Sequence, residues 1–277
     1  MEAAPVGLRV EVDGAVAHVT LADAGRRNAQ TPALWRALAQ IPATLDEEVR
    51  VVLVDAEGPS FSAGLDRRMF EPGGIAGEPS LTDLAALSPA ELDASIAQFQ
   101  RAFTWLRDDR FVSVAAVRGH AVGAGFQLAL ACDLRLVADD ARFCMREPAL
   151  GLVPDLGGTQ PLVECLGYSA ALELCVTGRW MEAAEAVQRG LALRSVPAGE
   201  LPAAAAELVA ALSVAPVGAV RATKRLLRAA GARDLAGQLA AERAEQAGRL
   251  TELAALAARL VAAGGAADVG GNSETGR

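Results

Sequence analysis

The sequence predicts an α/β fold with a helical C-terminal section, and three observations carry that prediction. Short apolar runs at Leu8–Val12, Ala15–Leu21, Val49–Asp55, Ser113–Val117 and Leu134–Ala138 alternate with segments of helical periodicity, the pattern that builds parallel strands joined by right-handed crossovers. Val49–Asp55 and Ser113–Val117 are nearly continuous in their apolar content, as strands covered on both faces are. From about Leu201 the chain turns to Ala, Leu, Arg and Glu at helical spacing.

Each element has a local reason. Asp13-Gly14 between the first two runs predicts a tight hairpin turn. Thr31–Ile41 carries Leu34, Leu38 and Ile41 on one face, with Thr31 as N-cap and Pro32 at the first helical position; Pro42 ends it. A polar loop follows Val49–Asp55 through Gly58-Pro59 and Gly73-Gly74. Pro89–Arg107 places Ile96, Phe99, Phe103 and Leu106 on one side of a helix. The strand Ser113–Val117 runs into the glycine-spaced stretch Gly119–Gly125 and an apolar helix, Phe126–Ala131; Leu134–Ala138 is followed by a further segment, Ala141–Met145. Helices are expected over 201–212, 217–230 and 235–262. This divides the chain into a core over 1–200, a helical section over 201–263 and a Gly-rich, polar and disordered tail over 264–277.

With 277 residues, 52% of them hydrophobic and 22% charged, the chain has enough apolar content to fold around a substantial core. A net charge of −8 argues against nucleic-acid binding, which needs a basic footprint. The N-terminal MEAAPVGLRVEVDG lacks the pattern of a signal peptide and no 18-residue apolar run occurs, so a soluble, cytoplasmic protein is expected, with no membrane partner. Cys132, Cys144, Cys165 and Cys175 show no C-x-x-C spacing, and His18 and His120 are far apart; they read as reduced core thiols, with no metal site. Lys224 is the sole lysine among 26 basic residues, which leaves Schiff-base chemistry one candidate.

Nucleotide motifs fail on inspection. Gly123-Ala124-Gly125-Phe126-Gln127-Leu128 lacks the closing small residue of the dinucleotide fingerprint, no G-x-x-x-x-G-K-[ST] occurs, and Gly58–Ser62 misses the closing glycine of a nucleophile elbow. Two turns remain: Phe61-Ser62-Ala63-Gly64-Leu65-Asp66, and Gly123-Ala124-Gly125 leading into a helix. Small residues let a ligand approach the backbone, and a helix start leaves N–H groups without internal partners. Two such groups converging on one oxygen form an oxyanion hole.

Taken together and in order, Val16–Leu21 with Arg27-Asn28-Ala29, the Phe61–Asp66 turn, Gly119–Asp133, and Glu147…Gly151…Pro154…Gly157-Gly158-Thr159 resemble the crotonase superfamily, the enoyl-CoA hydratase/isomerase group. The resemblance covers roughly Leu8 to Arg228. It implies a spiral of ββα units in two sheets followed by C-terminal helices, association as homotrimers or hexamers, and an acyl-CoA thioester as substrate, with coenzyme A entering as part of that substrate and no separate cofactor. By position it assigns the oxyanion amides to Ala63 and Ala124, and substrate contact to Ser62, Gly64, Leu65, Asp66, Arg67 and Gly123, with Arg68 beside them near the CoA phosphates. After Glu242 the chain lacks the aromatic-bearing last helix typical of the family.

The resemblance also places the acid–base residues. Hydratases of the family carry two glutamates; here the first of those positions is Gln127 and the second is Glu147. Glutamine can orient a water or a carbonyl but cannot take a proton. One carboxylate suffices to move a double bond from position 3 to position 2, by taking a proton from C2 and returning it at C4. Asp155, eight residues after Glu147, matches the spacing of an aspartate in dienoyl-CoA isomerases; its other reading is an N-cap for the helix beginning near Gly157. His120, Asp66 and Asp133 read as packing or structural residues, while Met69, Phe70, Trp105 and Phe111 could line an acyl pocket or belong to the core. The expectation is therefore a 3-to-2 enoyl-CoA isomerase with Glu147 as base, ahead of a hydratase or a specialised CoA-thioester lyase or hydrolase. A catalytically degenerate CoA-thioester-binding protein is the rival from outside the enzymes.

Overall fold

The computed structural model describes residues 7–71 and 73–268. It divides into two compact units, residues 1–214 and 215–277.

In the first unit, strands β1 (Leu8–Asp13), β2 (Val16–Leu21) and β3 (Val51–Ala56) are followed by β4 (Val112–Val117), β5 (His120–Val122), β6 (Leu134–Ala138), β7 (Arg142–Cys144), β8 (Met181–Glu182) and β9 (Ser195–Val196). Six strands form one sheet in the order β1-β2-β3-β4-β6-β9, and three form a second in the order β5-β7-β8. The β1–β2 pair is antiparallel, and every later pair in the large sheet is parallel. Helices α1 (Pro32–Gln40), α2 (Leu81–Ala85), α3 (Pro89–Thr104), α4 (Ala124–Ala131), α5 (Thr159–Leu166), α6 (Tyr168–Thr177), α7 (Ala183–Gln188) and α8 (Leu201–Ser213) complete the unit.

The continuous apolar runs fill both faces of the large sheet. Val52 and Val54 of β3 with Ala115 and Val117 of β4 point into the main core, alongside Phe99, Phe103 and Phe126. The alternate residues Val51, Leu53, Val114, Ala116 and Leu136 meet Leu201, Ala205 and Val209 of α8 on the other face. That packing places α8 in the first unit, whereas the sequence boundary separated it at residue 200. The period-two alternation of a strand sends neighbours to opposite faces, so both faces of these central strands are covered and read as apolar, with Ser113 buried among them.

One local expectation shifts and one holds. Asp13 pairs with Val16, so the hairpin loop is Gly14-Ala15 rather than Asp13-Gly14. Gly14 alone takes a positive φ there (54°), the pattern of a turn with glycine at its first central position. Asp13 stays extended because it has a ladder partner. At α1, Thr31 does cap the helix, its hydroxyl accepting from Leu34 N–H.

The second unit consists of α9 (Val217–Ala230) and α10 (Leu235–Asp268). Arg225 of α9 pairs with Glu245 of α10, Nε to Oε1 at 2.7 Å. The helix α10 continues past Gly264, where the sequence reading began a disordered tail; its alanine-rich content favours continued propagation. The rest of that tail, 269–277, lies outside the described residues. No single helix among the described residues is long and apolar enough to cross a membrane.

Candidate active site

Two chain segments from different elements are laced side by side. Ser62 forms a parallel bridge with Ala121 of β5 and Leu65 one with Gln30. Ser62 N–H donates to His120 O at 2.9 Å, and Val122 N–H donates to Ser62 O at 3.0 Å. The approach is close enough to demand glycine at two points. A Cβ on Gly64, which has φ +83°, would lie 2.4 Å from Val122 O and 3.6 Å from Ala124 N, and a Cβ on Gly125 would lie 2.6 Å from Ser62 O. The absence of side chains here is what brings the Phe61–Asp66 turn against the start of α4.

A buried polar chain fixes the first turn. Trp35 Nε1 donates to Gln30 Oε1 at 2.8 Å, Gln30 Nε2 to Ser62 Oγ at 3.3 Å, and Gly64 N–H to Ser62 Oγ at 3.2 Å, while Ser62 Oγ donates to Asn28 O at 2.8 Å. Asn28 Nδ2 in turn donates to the carbonyls of Glu57 and Ser60, both at 2.9 Å. Arg27 and Asn28 both adopt positive φ (53° and 54°), a costly conformation for residues with a Cβ, here held by the Asn28 side chain.

The oxyanion assignment changes at one of its two residues. Ala63 N–H is committed to Arg27 O at 2.9 Å and so is not available to a ligand. The bridge to Gln30 uses the Gly64 carbonyl (2.7 Å) and the Asp66 N–H (2.8 Å), which turns the intervening Leu65 N–H to the opposite side, where it has no acceptor among the described residues. Ala124 begins α4, and its N–H belongs to the unpaired set at a helix start. Leu65 and Ala124 therefore supply the two open amides flanking Gly64. Leu65, read from the sequence as a substrate contact, is thus the residue of the first turn whose backbone amide is open, in place of Ala63.

Glu147 stands over this turn. It opens a 3-10 turn, Glu147–Leu150, with Pro148 near its start and Gly151 at φ +74° closing it. A Cβ on Gly123 would sit 3.0 Å from Glu147 Oε1 and 3.4 Å from Oε2, so the carboxylate lies against the residue just before Ala124. Glu147 Oε1 accepts from Gln127 Nε2 at 2.7 Å, and its Oε2 is buried with no hydrogen-bond partner. Burial raises the Glu147 pKa above the ordinary carboxylate range; the Gln127 hydrogen bond pulls the other way and the Asp155 charge adds to the rise.

Gln127 is not free to orient a water through its carbonyl. It is fully buried within α4, and its Oε1 already accepts from Leu156 N–H at 2.9 Å and Gly158 N–H at 3.3 Å. Asp155 is half-buried; its pKa is raised by burial, and its carbonyl accepts from Gln100 Nε2 at 2.7 Å. It does not cap α5, whose N-cap is Gly158, without a side-chain cap.

The arginines near the first turn separate into two kinds. Arg68 pairs with Asp66, Nη2 to Oδ2 at 2.7 Å, and its N–H donates to Asp66 Oδ1 at 3.0 Å; this pairing holds the Asp66 carboxyl below its usual range. Arg26 pairs with Asp23 (2.5 Å) and approaches Asp66 (3.7 Å). Arg67 and Arg27 are exposed. Asp133 accepts from Ser113 N–H at 2.8 Å, a structural role. His120 packs edge-on against Trp180 at 5.4 Å. Trp105 and Phe111 pair edge-on in the core at 5.8 Å, and Met69 is buried while Phe70 is exposed. Sequence reasoning missed Gln30 and Trp35 as supports of the first turn. Gln30, a polar residue between the Arg27-Asn28 pair and a helix cap, was the one signal available.

The enoyl-CoA hydratase/isomerase family model matches residues 11–252. A probable enoyl-CoA hydratase of Mycobacterium tuberculosis is 31% identical over 236 residues, covering 84% of this chain and 86% of that one. The human mitochondrial Delta(3,5)-Delta(2,4)-dienoyl-CoA isomerase is 34% identical over 214 residues, covering 76% of this chain and 64% of that one. A crystal structure from Thermobifida fusca YX, of a protein named as an enoyl-CoA hydratase and bound to acetoacetyl-CoA, superposes with a TM-score of 0.86 at 53% identity, covering 89% and 96% of the two chains.

Proposed function

Because this chain belongs to the enoyl-CoA hydratase/isomerase family, we propose that it binds an enoyl-CoA thioester, stabilises the enolate between the Leu65 and Ala124 amides, and shifts the double bond from position 3 to position 2 with Glu147 as the base. The observation that carries this reading is the Glu147 carboxylate: one oxygen is held by Gln127, and the other is buried, unpartnered and beside the open amides. The thioester carbonyl oxygen accepts from both amides. Glu147 Oε2 takes a proton from C2, the electron pair delocalises through the carbonyl and the 3,4 double bond, and the same oxygen returns the proton to C4. No atom is gained or lost. Two preorganised donors favour the charge that develops on the carbonyl oxygen.

Hydration needs one group to activate water and another to deliver a proton. Gln127 can do neither through its carbonyl, which is engaged by two backbone amides. A second reading rests on Asp155: it is close enough for its charge to raise the Glu147 pKa, and a dienoyl-CoA isomerase is among the relatives. There Glu147 and Asp155 would carry protons at two ends of a longer conjugated system. The association as homotrimers or hexamers that the family resemblance implies would need an apolar face, and α6 offers one, where Tyr168, Leu172 and Val176 are 70%, 47% and 66% exposed at four-residue spacing.

The test is product analysis from a 3-enoyl-CoA and, in parallel, a 2-enoyl-CoA. Conversion of the 3-enoyl form without a change in mass supports the reading. Gain of one water on the 2-enoyl form replaces it with hydration. No change in either, with the acyl-CoA still bound, would move a binding-only protein to the front.

A further inference from the structure

We propose that Gln127 is a positioning residue dedicated to Glu147: it holds Oε1 and leaves Oε2 as the one oxygen that exchanges protons with substrate. This rests on the reading of Glu147 as the base. On this view the site is built around a glutamine, and is not a two-glutamate site that has lost one member.

The argument starts from the helix. Every residue of α4 is buried, and Gln127 is its one polar side chain. A buried amide without partners is costly, yet this one is engaged at both ends. Leu156 and Gly158 N–H groups can only donate, so the amide oxygen must face them, at 2.9 and 3.3 Å, and the nitrogen must face Glu147, at 2.7 Å. The orientation is chemically forced.

The surroundings are shaped for the same residue. A Cβ on Gly158 would lie 2.7 Å from Gln127 Cγ and 3.1 Å from its Oε1, so glycine at 158 makes the room in which the amide lies. Gln127 is thus keyed by the Leu156–Gly158 segment on one side and passes that rigidity to Glu147 on the other. With Oε1 engaged, the carboxylate has one lone oxygen. That oxygen has no hydrogen-bond partner, so it is the stronger proton acceptor of the two.

A glutamate at 127 would satisfy the two amides equally well through one oxygen. Its other oxygen would face Glu147 Oε1 across the same short separation, and two like charges there share a proton. The other groups whose charge or proton reaches Glu147 are Asp155 and the thiols of Cys144 and Cys175, with Arg146 beside Cys144. The backbone N–H groups of Glu147 and Arg146 also favour the charged carboxylate, but a side-chain substitution leaves them in place; the Gln127 amide is the side-chain hydrogen bond on Glu147, and so the contact that a substitution can remove.

The test compares the wild type with Gln127→Glu, Gln127→Met and Glu147→Gln. It measures α-proton exchange of an acyl-CoA in deuterated water against pH, with melting temperature and binding of a saturated acyl-CoA as controls for folding. Glu147→Gln must abolish exchange; if it does not, the base assignment itself fails. Given that loss, Gln127→Met is expected to lower kcat about tenfold to a hundredfold with KM unchanged. It should also move the acid limb of the profile to higher pH, because a hydrogen bond favouring the charged carboxylate is gone. Gln127→Glu, which retains the shape and both backbone contacts, is expected to shift the limb the same way by about one pH unit or more and to gain no hydration. Wild-type kcat and an unmoved limb in Gln127→Glu would overturn the proposal while leaving Glu147 as base, and so would the appearance of hydratase activity. Should Gln127→Met fail to fold, Gln127→Glu alone decides.

Discussion

The Ala63 amide donates to the Arg27 carbonyl at 2.9 Å, and this single hydrogen bond leaves Leu65 as the open amide beside Gly64 in the first turn. The donor one residue either side of Gly64 is not interchangeable: Ala63 is tied back to a strained left-handed pair, Arg27 and Asn28, while Leu65 is left open. Its counterpart is Ala124, the first residue of α4, where proline is well tolerated because the N–H there has no helical partner. Ala124→Pro therefore removes the donor at small cost to the helix. The expected outcome is a melting temperature close to wild type and a loss of α-proton exchange of about 10²–10³-fold. Exchange within a few-fold of wild type in a folded variant would remove Ala124 from the oxyanion site.

The fold was legible where patterning on two faces left no alternative. The continuous apolar runs at Val51–Val54 and Val112–Val117 have a core on one side and α8 on the other, and their strand assignment follows from that alone. Helix starts were legible where a side chain caps them, as Thr31 does α1. Legibility ended at one-residue offsets. The hairpin loop lies at Gly14-Ala15 because Asp13 is kept in the ladder, and the open amide is at Leu65 because Gln30 claims the backbone groups on both sides of it. Such offsets are set by which groups pair across the chain, and a motif does not state its own hydrogen-bond phase. Glu147 could be read from position; that one of its oxygens is engaged by Gln127 could not, because the partners Leu156 and Gly158 belong to a separate segment.

The Glu147 carboxylate is retained against stability. Burial raises its pKa, so its folded-state value lies above its unfolded value. Above the folded value the native state bears the full cost of a buried charge, and that cost fades as pH falls through it. Glu147→Gln removes the charge. It is expected to abolish α-proton exchange of an acyl-CoA and yet stabilise the protein at neutral pH by about 0.5–2 kcal/mol, with the gain shrinking as the solution is acidified into the range where wild-type Glu147 is itself protonated. Thermal melts of the two proteins across pH check this; a variant less stable at neutral pH than at acid pH, relative to wild type, contradicts the buried-charge account.

Asp155 separates the two isomerase readings. Its charge raises the Glu147 pKa, so Asp155→Asn should lower that pKa and extend activity to more acid pH. If the reaction is a 3-to-2 shift on one carboxylate, turnover of a 3-enoyl-CoA persists in Asp155→Asn, with its acid limb displaced downward. If the substrate is a dienoyl-CoA and Asp155 carries the second proton, turnover of that substrate is lost in the same variant while α-proton exchange on Glu147 survives. Parallel assays of the two substrates distinguish the cases.

The arginines by the first turn should divide in function as they divide in contacts. Arg68 is held by Asp66 through its guanidinium and its backbone amide, and its side chain is already engaged. Arg67 is exposed and next in sequence, and Arg27 is exposed one hydrogen bond from Ala63. Neither has an ion pair among the described residues. Under the proposed reading, in which the thioester carbonyl sits between Leu65 and Ala124, these two exposed cations are the candidates for the CoA phosphates. Arg67→Ala and Arg27→Ala are expected to raise KM for an acyl-CoA by about two- to fivefold each, leave kcat unchanged, and flatten the dependence of KM on salt, since exposed ion pairs are screened. Arg68→Ala should act differently. Asp66, whose pKa is lowered chiefly by Arg68, contributes stability that is present above its unfolded pKa and lost as pH falls through its folded one. Removing Arg68 narrows that window, so the change appears in melting temperature at neutral pH and not in the salt dependence of KM. A salt-sensitive KM that only Arg68→Ala abolishes would reverse the assignment.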